Sequence, residues 1–407
     1  MKFTRTFAVV TMSAALTLGA AAVSFAADPV DVSELKVGVI YVGDEQEGYT
    51  YAHMLGIEDM AENLGLSEDQ VIAKYSIPED ESCYDAAVDL AEQGCQIIFA
   101  NSFGHEDYMI QAATEYPDVQ FCHATGYQAA SSGLENMHNY FTSVYESRYV
   151  SGVVAGMKLA EIAAGEGFKD ENYDENGLLK IGYVGAYSYA EVISGYTSFL
   201  LGLRSVYPDV VMEVKYTGSW ADQALEKETA EALIADGCAL VSQHADTTGA
   251  AAACEAASTW HVGYNVGMLD VAPNYHLTSA SIKWGPYYTY AAQCVVDGET
   301  IDTDWCQGYA DGAVWITDLG ENVAEGTAEK VEETWAAIED GSLHVFDTST
   351  WTVNGETVTS TAGEELDDLF HGVEYISEDG YFMESELGSA PAFAFVIDGV
   401  TELNQVY

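Results

Sequence analysis

Two short stretches place a histidine beside a carboxylate, His105-Glu106-Asp107 and His244-Ala245-Asp246. Either could in principle hold a metal ion or supply a general base, but neither has further ligands at regular spacing. The chain has no G-x-S-x-G elbow, no H-E-x-x-H, no Gly-rich phosphate loop ending in Lys-Ser/Thr, and no G-x-G-x-x-G after its first strand. An acidic stretch at 166–179 superficially suggests a calcium loop. Its sixth position is Glu175 where glycine is needed and its twelfth is Ile181, so the pattern fails. No catalytic residue, metal or cofactor is expected. Aromatic side chains are the stronger signal: Tyr49, Tyr51, Phe103, Tyr127, Tyr187, Tyr189, Trp220, Trp284, Tyr287 and Tyr288. Such residues serve domain packing. Where they converge from two halves, they instead build a stacking slot for a flat ring, with a few polar groups fixing its edge.

The elements that must carry them form a repeating pattern. Lys36–Tyr41 is an apolar run of strand length, followed by helical spacing over Tyr49–Leu64 that Gly65 stops. Strands are predicted at 71–77, 96–100 and 119–123, with helices at 84–93 and 107–115 between them. A second series starts at Lys180: strands at 180–184, 210–216, 239–242 and 261–264 alternate with helices at 191–206, 221–235 and 250–258. Arg148–Glu161 reads as a helix between the halves. Non-alternating apolar strands separated by short helices mean βαβ units and parallel sheets covered on both faces. The expected fold is therefore α/β, with two doubly wound parallel-sheet lobes joined by a hinge. Ligand chemistry then belongs at the C-terminal strand ends, facing across a cleft, in loops 42–50, 101–107, 124–128, 185–192, 217–222, 243–249 and 265–270.

Residues 1–26 read as a secretory signal: Lys2 and Arg5 precede an apolar stretch, and Ser24-Phe25-Ala26 is a small-x-small site with cleavage before Ala27. No cysteine near that site offers a lipid anchor, so an exported protein is expected, free outside the cytoplasm. The expected domains are residues 27–150, completed by about 270–325, then 151–269, then a C-terminal helix and β-rich extension over 326–407. Asn354-Gly355 between β-formers is a hairpin signal within that extension. With 13 Lys+Arg against 66 Asp+Glu, the net charge of −53 repels nucleic acid, phosphates and acidic lipids and favours neutral or cationic ligands. A hydrophobic content of 48% separates the chain from disordered acidic polymers. Seven scattered cysteines without a C-x-x-C pair read as buried thiols rather than a disulfide framework.

Eight short pieces, in order between residues 36 and 345, resemble the basic membrane protein family of substrate-binding proteins, which includes the purine nucleoside receptors of ABC importers. They are Gly48-Tyr49-Thr50-Tyr51-Ala52-His53, Ile98–Gly104, His123–Tyr127, Arg148–Gly156, Lys180–Val184, Tyr216–Asp222, Gln243–Asp246 and Trp284–Tyr288. The resemblance implies a type I periplasmic-binding-protein fold, an ABC permease as partner, and a monomer that binds without turnover. It also implies a purine base or nucleoside sandwiched between Tyr49 and Trp220. Polar contacts would come from Asp44–Gly48, Ser102-Phe103-Gly104, Asp246, Glu191 and Lys283. Asn265 is a departure, because the family pattern runs to Asp-x-Asp there; amide replaces carboxylate and adds donors. Tyr49 is another, standing where relatives carry tryptophan. The alternatives left open are the same fold with an amino acid, sugar or signal molecule, and a secreted nucleoside-cleaving enzyme.

Overall fold

The computed structural model describes residues 28–165, 167–363 and 372–407. The leader expected over residues 1–26 lies outside the described residues. The first lobe begins with β1 (Val37–Ile40), α1 (Gly48–Leu64), β2 (Val71–Lys74), α2 (Glu81–Glu92), β3 (Ile97–Ala100), α3 (Glu106–Glu115), β4 (Gln120–His123), α4 (Ala129–Ser132) and β5 (Met137–Thr142). The second lobe follows: α5 (Val144–Ala164), β6 (Leu179–Gly185), α6 (Ala190–Arg204), β7 (Val210–Tyr216), α7 (Gln223–Ala235), β8 (Leu240–Gln243), α8 (Gly249–Ala257), β9 (Trp260–Tyr264) and β10 (His276–Ile282). The chain then returns to the first lobe with α9 (Gly285–Asp297) and β11 (Asp304–Gln307). It crosses back for β12 (Val314–Ile316), α10 (Thr327–Glu339) and β13 (Val400–Glu402).

Both sheets are built on parallel pairs, ordered β11-β5-β4-β3-β1-β2 and β12-β10-β9-β8-β6-β7-β13; only β12 runs antiparallel to its neighbour. The two-lobed α/β expectation is met. Its boundaries need correcting, because β10 and β12 fall inside the 270–325 span expected to complete the first lobe, yet both pair in the second lobe's sheet. What completes the first lobe is α9, packed on α1, together with β11.

Local chemistry explains the elements. The β1 and β3 segments, Val-Gly-Val-Ile and Ile-Ile-Phe-Ala, are buried at every position, as strands covered on both faces must be. Glu47 caps α1 by accepting from the backbone N–H groups of Tyr49 (2.6 Å) and Thr50 (2.8 Å), and Gly65 ends it at φ +69°. The α5 and α6 helices pack backbone to backbone: a Cβ on Gly152 would lie 2.1 Å from the Phe199 carbonyl oxygen, and one on Gly202 1.9 Å from that of Tyr149. All seven cysteines are free thiols, six of them buried, as the small-hydrophobe reading expected.

The C-terminal extension contains less strand than its Thr/Val/Gly-rich composition suggested. Beyond β13 its described residues pair only through isolated bridges, Asp347 with Tyr381, Val353 with Glu356, and Ile376 with Phe382. The Val353–Glu356 bridge closes over Asn354 (φ +54°) and Gly355 (φ +81°), the tight turn that this dipeptide favours. Its aromatics pack into the second lobe's core, with Phe346 stacked on Phe393 at 4.4 Å. The extension touches both lobes: Glu384 accepts from the Ser194 hydroxyl of α6 at 2.5 Å, and the Ser389 N–H donates to Asp304 of β11 at 3.0 Å.

Candidate ligand-binding site

Loops at the C-terminal strand ends of both sheets enclose a cavity of about 320 Å³. The first lobe contributes Val42, Gly43, Glu47 and Tyr49 after β1, Glu79 after β2, Asn101–Phe103 after β3, and Thr125 after β4. Opposite them stand Tyr187 and Glu191 after β6, Ser219–Ala221 after β7, His244 and Asp246 after β8, and Tyr264 at the end of β9. The lobes meet at two points beside it. The Gly48 N–H donates to the Asp246 carbonyl at 3.2 Å, and the rings of Phe103 and Tyr189 lie 5.8 Å apart. A Cβ on Gly48 would come within 2.9 Å of that carbonyl oxygen, so this approach needs glycine.

Tyr49, Ser102, Phe103, Glu191, Trp220 and Asp246, all expected from sequence, line this one cavity. Asn265 sits just behind it and donates from Nδ2 to Asp246 Oδ1 at 2.7 Å. Lys283 is a correction. It is exposed outside the cleft, in a separate depression with Asp59 and Asn63, and its Nζ lies 4.8 Å above the Trp315 ring. It follows β10 directly, and the next residue, Trp284, turns into the first lobe's core. Trp284, Tyr287 and Tyr288 serve that core too, whereas Tyr187 belongs to the cavity.

Sequence reading missed Glu79, because β2 was drawn through Ile77; the strand ends at Lys74 and frees the next residues as a cleft loop. Glu79 Oε1 accepts from the Ser102 hydroxyl (2.7 Å) and the Gly104 N–H (2.8 Å). Asn101, Thr125, His244 and Tyr264 were missed as site residues as well, although each lies at a strand end.

Both lobes bring aromatic and acidic side chains to the cavity. Trp220 is 5.3 Å from Tyr187 and 6.3 Å from Tyr189, and these two tyrosines stack at 5.3 Å, giving the second lobe an aromatic face. Tyr49 packs edge-on against His53 at 4.4 Å and Trp284 at 5.9 Å, which fixes its ring. Four carboxyls, Glu47, Glu79, Glu191 and Asp246, line the cavity with Asn101, Ser102, Thr125, Ser219 and His244, and among the described residues no lysine or arginine does. Burial, reinforced by Glu47 and Glu226 nearby, holds Asp246 well above the usual carboxylate range. Burial also pushes Glu191 up to about 7, against the pull of Arg148. A neutral carboxyl both donates and accepts, so this pair can meet the mixed edge of a heterocycle or a set of hydroxyls.

The Asp246 loop is braced from below by a chain whose proton positions follow from one another. Gln243 donates to the carbonyls of Ala245 (2.6 Å) and Thr247 (2.7 Å), so its Oε1 must accept from His261 Nε2 at 2.9 Å. His261 Nδ1 is then the acceptor for His276 Nδ1–H at 3.0 Å, and His276 Nε2 accepts from the Met268 N–H at 3.4 Å. Burial keeps both histidines neutral. Arg148, buried beneath the cleft, lies 3.6 Å over the Tyr264 ring and donates to the Gln243 carbonyl at 2.7 Å. The other expected histidine cluster is structural: Glu106 accepts from the Gln128 N–H and the Asn139 amide, each at 2.8 Å. Among the described residues no group of His, Cys, Asp or Glu could hold a metal ion, and no helix is long and apolar enough to cross a membrane.

A purine-binding protein of Brucella abortus is 33% identical to this chain over 333 residues, covering 79% of this chain and 88% of its own. A Haloferax volcanii protein, named provisionally as the glucose-binding protein of an ABC transporter, is 27% identical over 319 residues, covering 78% and 75%. The solved structure of an ABC transporter solute-binding protein from Aeropyrum pernix superposes with a TM-score of 0.62 at 18% identity, covering 77% of this chain and 93% of that one. The fold is thus that of the periplasmic binding proteins. Residues 34–345 match the PnrA-like substrate-binding proteins of ABC transporters, and the chain belongs to that family, Bmp.

Proposed function

We propose that this chain is an exported monomeric receptor that closes on a purine base or nucleoside and hands it, chemically unchanged, to an ABC permease. The observation that carries the ligand is the cavity itself. Aromatic rings and carboxyls reach it from both lobes, Tyr49 and Phe103 with Glu47 and Glu79 on one, Tyr187 and Trp220 with Glu191 and Asp246 on the other, without a lysine or arginine among the lining residues. Tyr49 and Trp220 flank the ring in this reading. Asp246 and Glu191 meet its polar edge, Glu79 and Ser102 reach the substituent, and Asn265 orients Asp246. Amino acids fit poorly, because their carboxylate lacks a cationic partner among the lining groups. Nucleotides and nucleic acid are disfavoured by the same charge.

A neutral sugar is the second reading. Carboxyls interleaved with aromatic faces also suit a pyranose ring, and the Haloferax relative is named for glucose. A thermal-shift screen of purine bases, nucleosides, nucleotides, amino acids and sugars separates the two. A ligand that binds only the folded state at a hundred times its dissociation constant adds about 2.7 kcal/mol. A response to hypoxanthine, adenosine or inosine supports the purine receptor. A response confined to sugars replaces it, and disappearance of inosine in the presence of pure protein would establish an enzyme.

A further inference from the structure

The last residues of the chain lie outside the family match at 34–345, yet they run to the edge of the cleft. β13 pairs parallel with β7, Val400 against Met212 and Glu402 against Val214. Along this segment the even-numbered residues face inward: Glu402, Asn404 and Val406 are half-buried, while Thr401, Leu403, Gln405 and Tyr407 are exposed. Each inward residue has a partner next to the ligand loops. Glu402 accepts from the Tyr216 hydroxyl. Asn404 brackets the Tyr216 backbone, accepting from its N–H at 2.8 Å and donating to its carbonyl at 2.9 Å. The Val406 carbonyl accepts from the Ser188 N–H at 2.7 Å, and the Val406 N–H donates to the Ser188 hydroxyl at 3.0 Å.

Tyr216 is the last residue of β7, and the turn after it carries Trp220. Ser188 lies between Tyr187 and Tyr189. The two loops that form the aromatic wall are therefore both tied to one short segment, β13 and the residues after it. The two loops also meet directly, the Thr217 and Gly218 N–H groups donating to the Gly185 and Ala186 carbonyls at 2.9 Å, and the Asp246 N–H donates to the Trp220 carbonyl at 2.8 Å.

We propose that residues 402–406 are a positioning element for the binding cleft, setting the separation and tilt of Trp220 against Tyr187 and Tyr189 through Asn404–Tyr216 and Val406–Ser188. The proposal rests on this cleft being the ligand site and not on the ligand being a purine. The tail touches no ligand; it fixes the side chains that do.

Fluorine NMR of full-length protein labelled with 5-fluorotryptophan tests this without ligand. The seven tryptophans give seven resonances, with that of Trp220 assigned by Trp220→Phe. In Asn404→Ala, and in a variant lacking residues 404–407, the Trp220 resonance shifts or broadens while those of Trp335 and Trp351 stay in place. The melting temperature stays within about two degrees, and Asn404→Gln recovers part of the effect. With hypoxanthine and inosine as probes, affinity falls about five- to tenfold, the scale of losing paired hydrogen bonds that hold a site's geometry. An unmoved Trp220 resonance overturns the proposal. So does movement of all seven resonances with a lower melting temperature, which would make the tail a structural clamp. Unchanged affinity beside a moved Trp220 overturns it too. If the wild type binds neither purine, the purine reading fails and the fluorine spectrum alone decides the tail.

Discussion

Asn265 donates from Nδ2 to Oδ1 of Asp246 at 2.7 Å, so the residue that departs from the family pattern serves to hold a neighbouring acid. Its backbone stands at φ +65°, a conformation that asparagine and aspartate tolerate better than other side chains. Asn265→Asp would set two buried carboxyls against each other, and such pairs share one proton. Inosine affinity of the variant, measured by calorimetry, is expected to fall about tenfold between pH 5.5 and 8, one pKa unit's worth of coupling. A profile parallel to that of the wild type would separate Asp246 from the ligand.

Tyr49→Ala and Trp220→Ala should each weaken purine binding by about 1–3 kcal/mol, the range for stacking a base on an aromatic ring. Each ring is half-buried against the core beside it, so truncation also lowers the melting temperature of the empty protein, and affinity is compared at a temperature where both variants are folded. Affinity unchanged from the wild type in both variants would dismiss the stacked arrangement.

Charge gives a third expectation. A phosphate in this cavity would find no lysine or arginine among the lining residues, so inosine monophosphate should bind at least about a hundredfold more weakly than inosine, since a charge taken out of water without a partner costs several kcal/mol. Competition against a bound fluorescent nucleoside reads this directly. Similar inhibition by the two compounds would place the phosphate outside the acidic region and contradict the orientation proposed.

Closure rests on a small residue. A Cβ on Gly48 would lie 2.9 Å from the Asp246 carbonyl oxygen and 3.3 Å from Val266 Cγ2. Gly48→Ala is expected to reduce affinity about tenfold, by charging roughly 1.4 kcal/mol to the closed form alone. Small-angle scattering of the ligand-saturated variant should give a larger radius of gyration than that of the wild type. Identical radii and affinities would show that the lobes need not meet here.

The buried acids and histidines set opposing pH slopes. Burial pushes Glu384 up to about 7 from its ordinary 4.5. Folding favours its neutral form, so its contribution is intact below pH 4.5 and is lost as pH rises through 7. His138 and His276, held down to about 4 from 6.5 by burial, lose stability in the other direction, as pH falls. Glu384→Gln removes one acid slope. Its melting temperature relative to the wild type should climb between pH 4.5 and 7, by up to about 3 kcal/mol in free energy. A pH-independent difference between the two proteins would mean that Glu384 is charged when buried.

The fold was legible where burial and apolarity coincide. Val37–Ile40 and Ile97–Ala100 announce themselves as covered strands, and Gly65 marks the end of α1. β5 and β10 were not visible, because His138, Asn139, Thr278, Ser279 and Ser281 make them polar while leaving them buried. Their polar groups are satisfied sideways, His138 by Gln120 at 2.9 Å and Thr278 by the Thr317 carbonyl at 2.7 Å, and periodicity carries no trace of such partners. The cavity was legible through the strand-end rule, which picked out the aromatics Tyr49, Phe103 and Trp220, and the family resemblance added Asp246. The rule missed Glu79, where a boundary error of a few residues hid a cleft loop, and the resemblance misplaced Lys283, which faces away from the cavity. The tail's hold on Tyr216 was invisible, since pairing across that distance leaves no local pattern.

Neither sheet is contiguous in the chain. β5 must wait for β11, which follows most of the second lobe, and Tyr216 meets Asn404 across 188 residues. A chain made from its N-terminus has both sheets unfinished and keeps unpaired strand edges until β11 and β13 are available. Such edges invite self-association, and the large negative charge, by keeping nascent copies apart, suits a molecule that can close its sheets only late in its own synthesis.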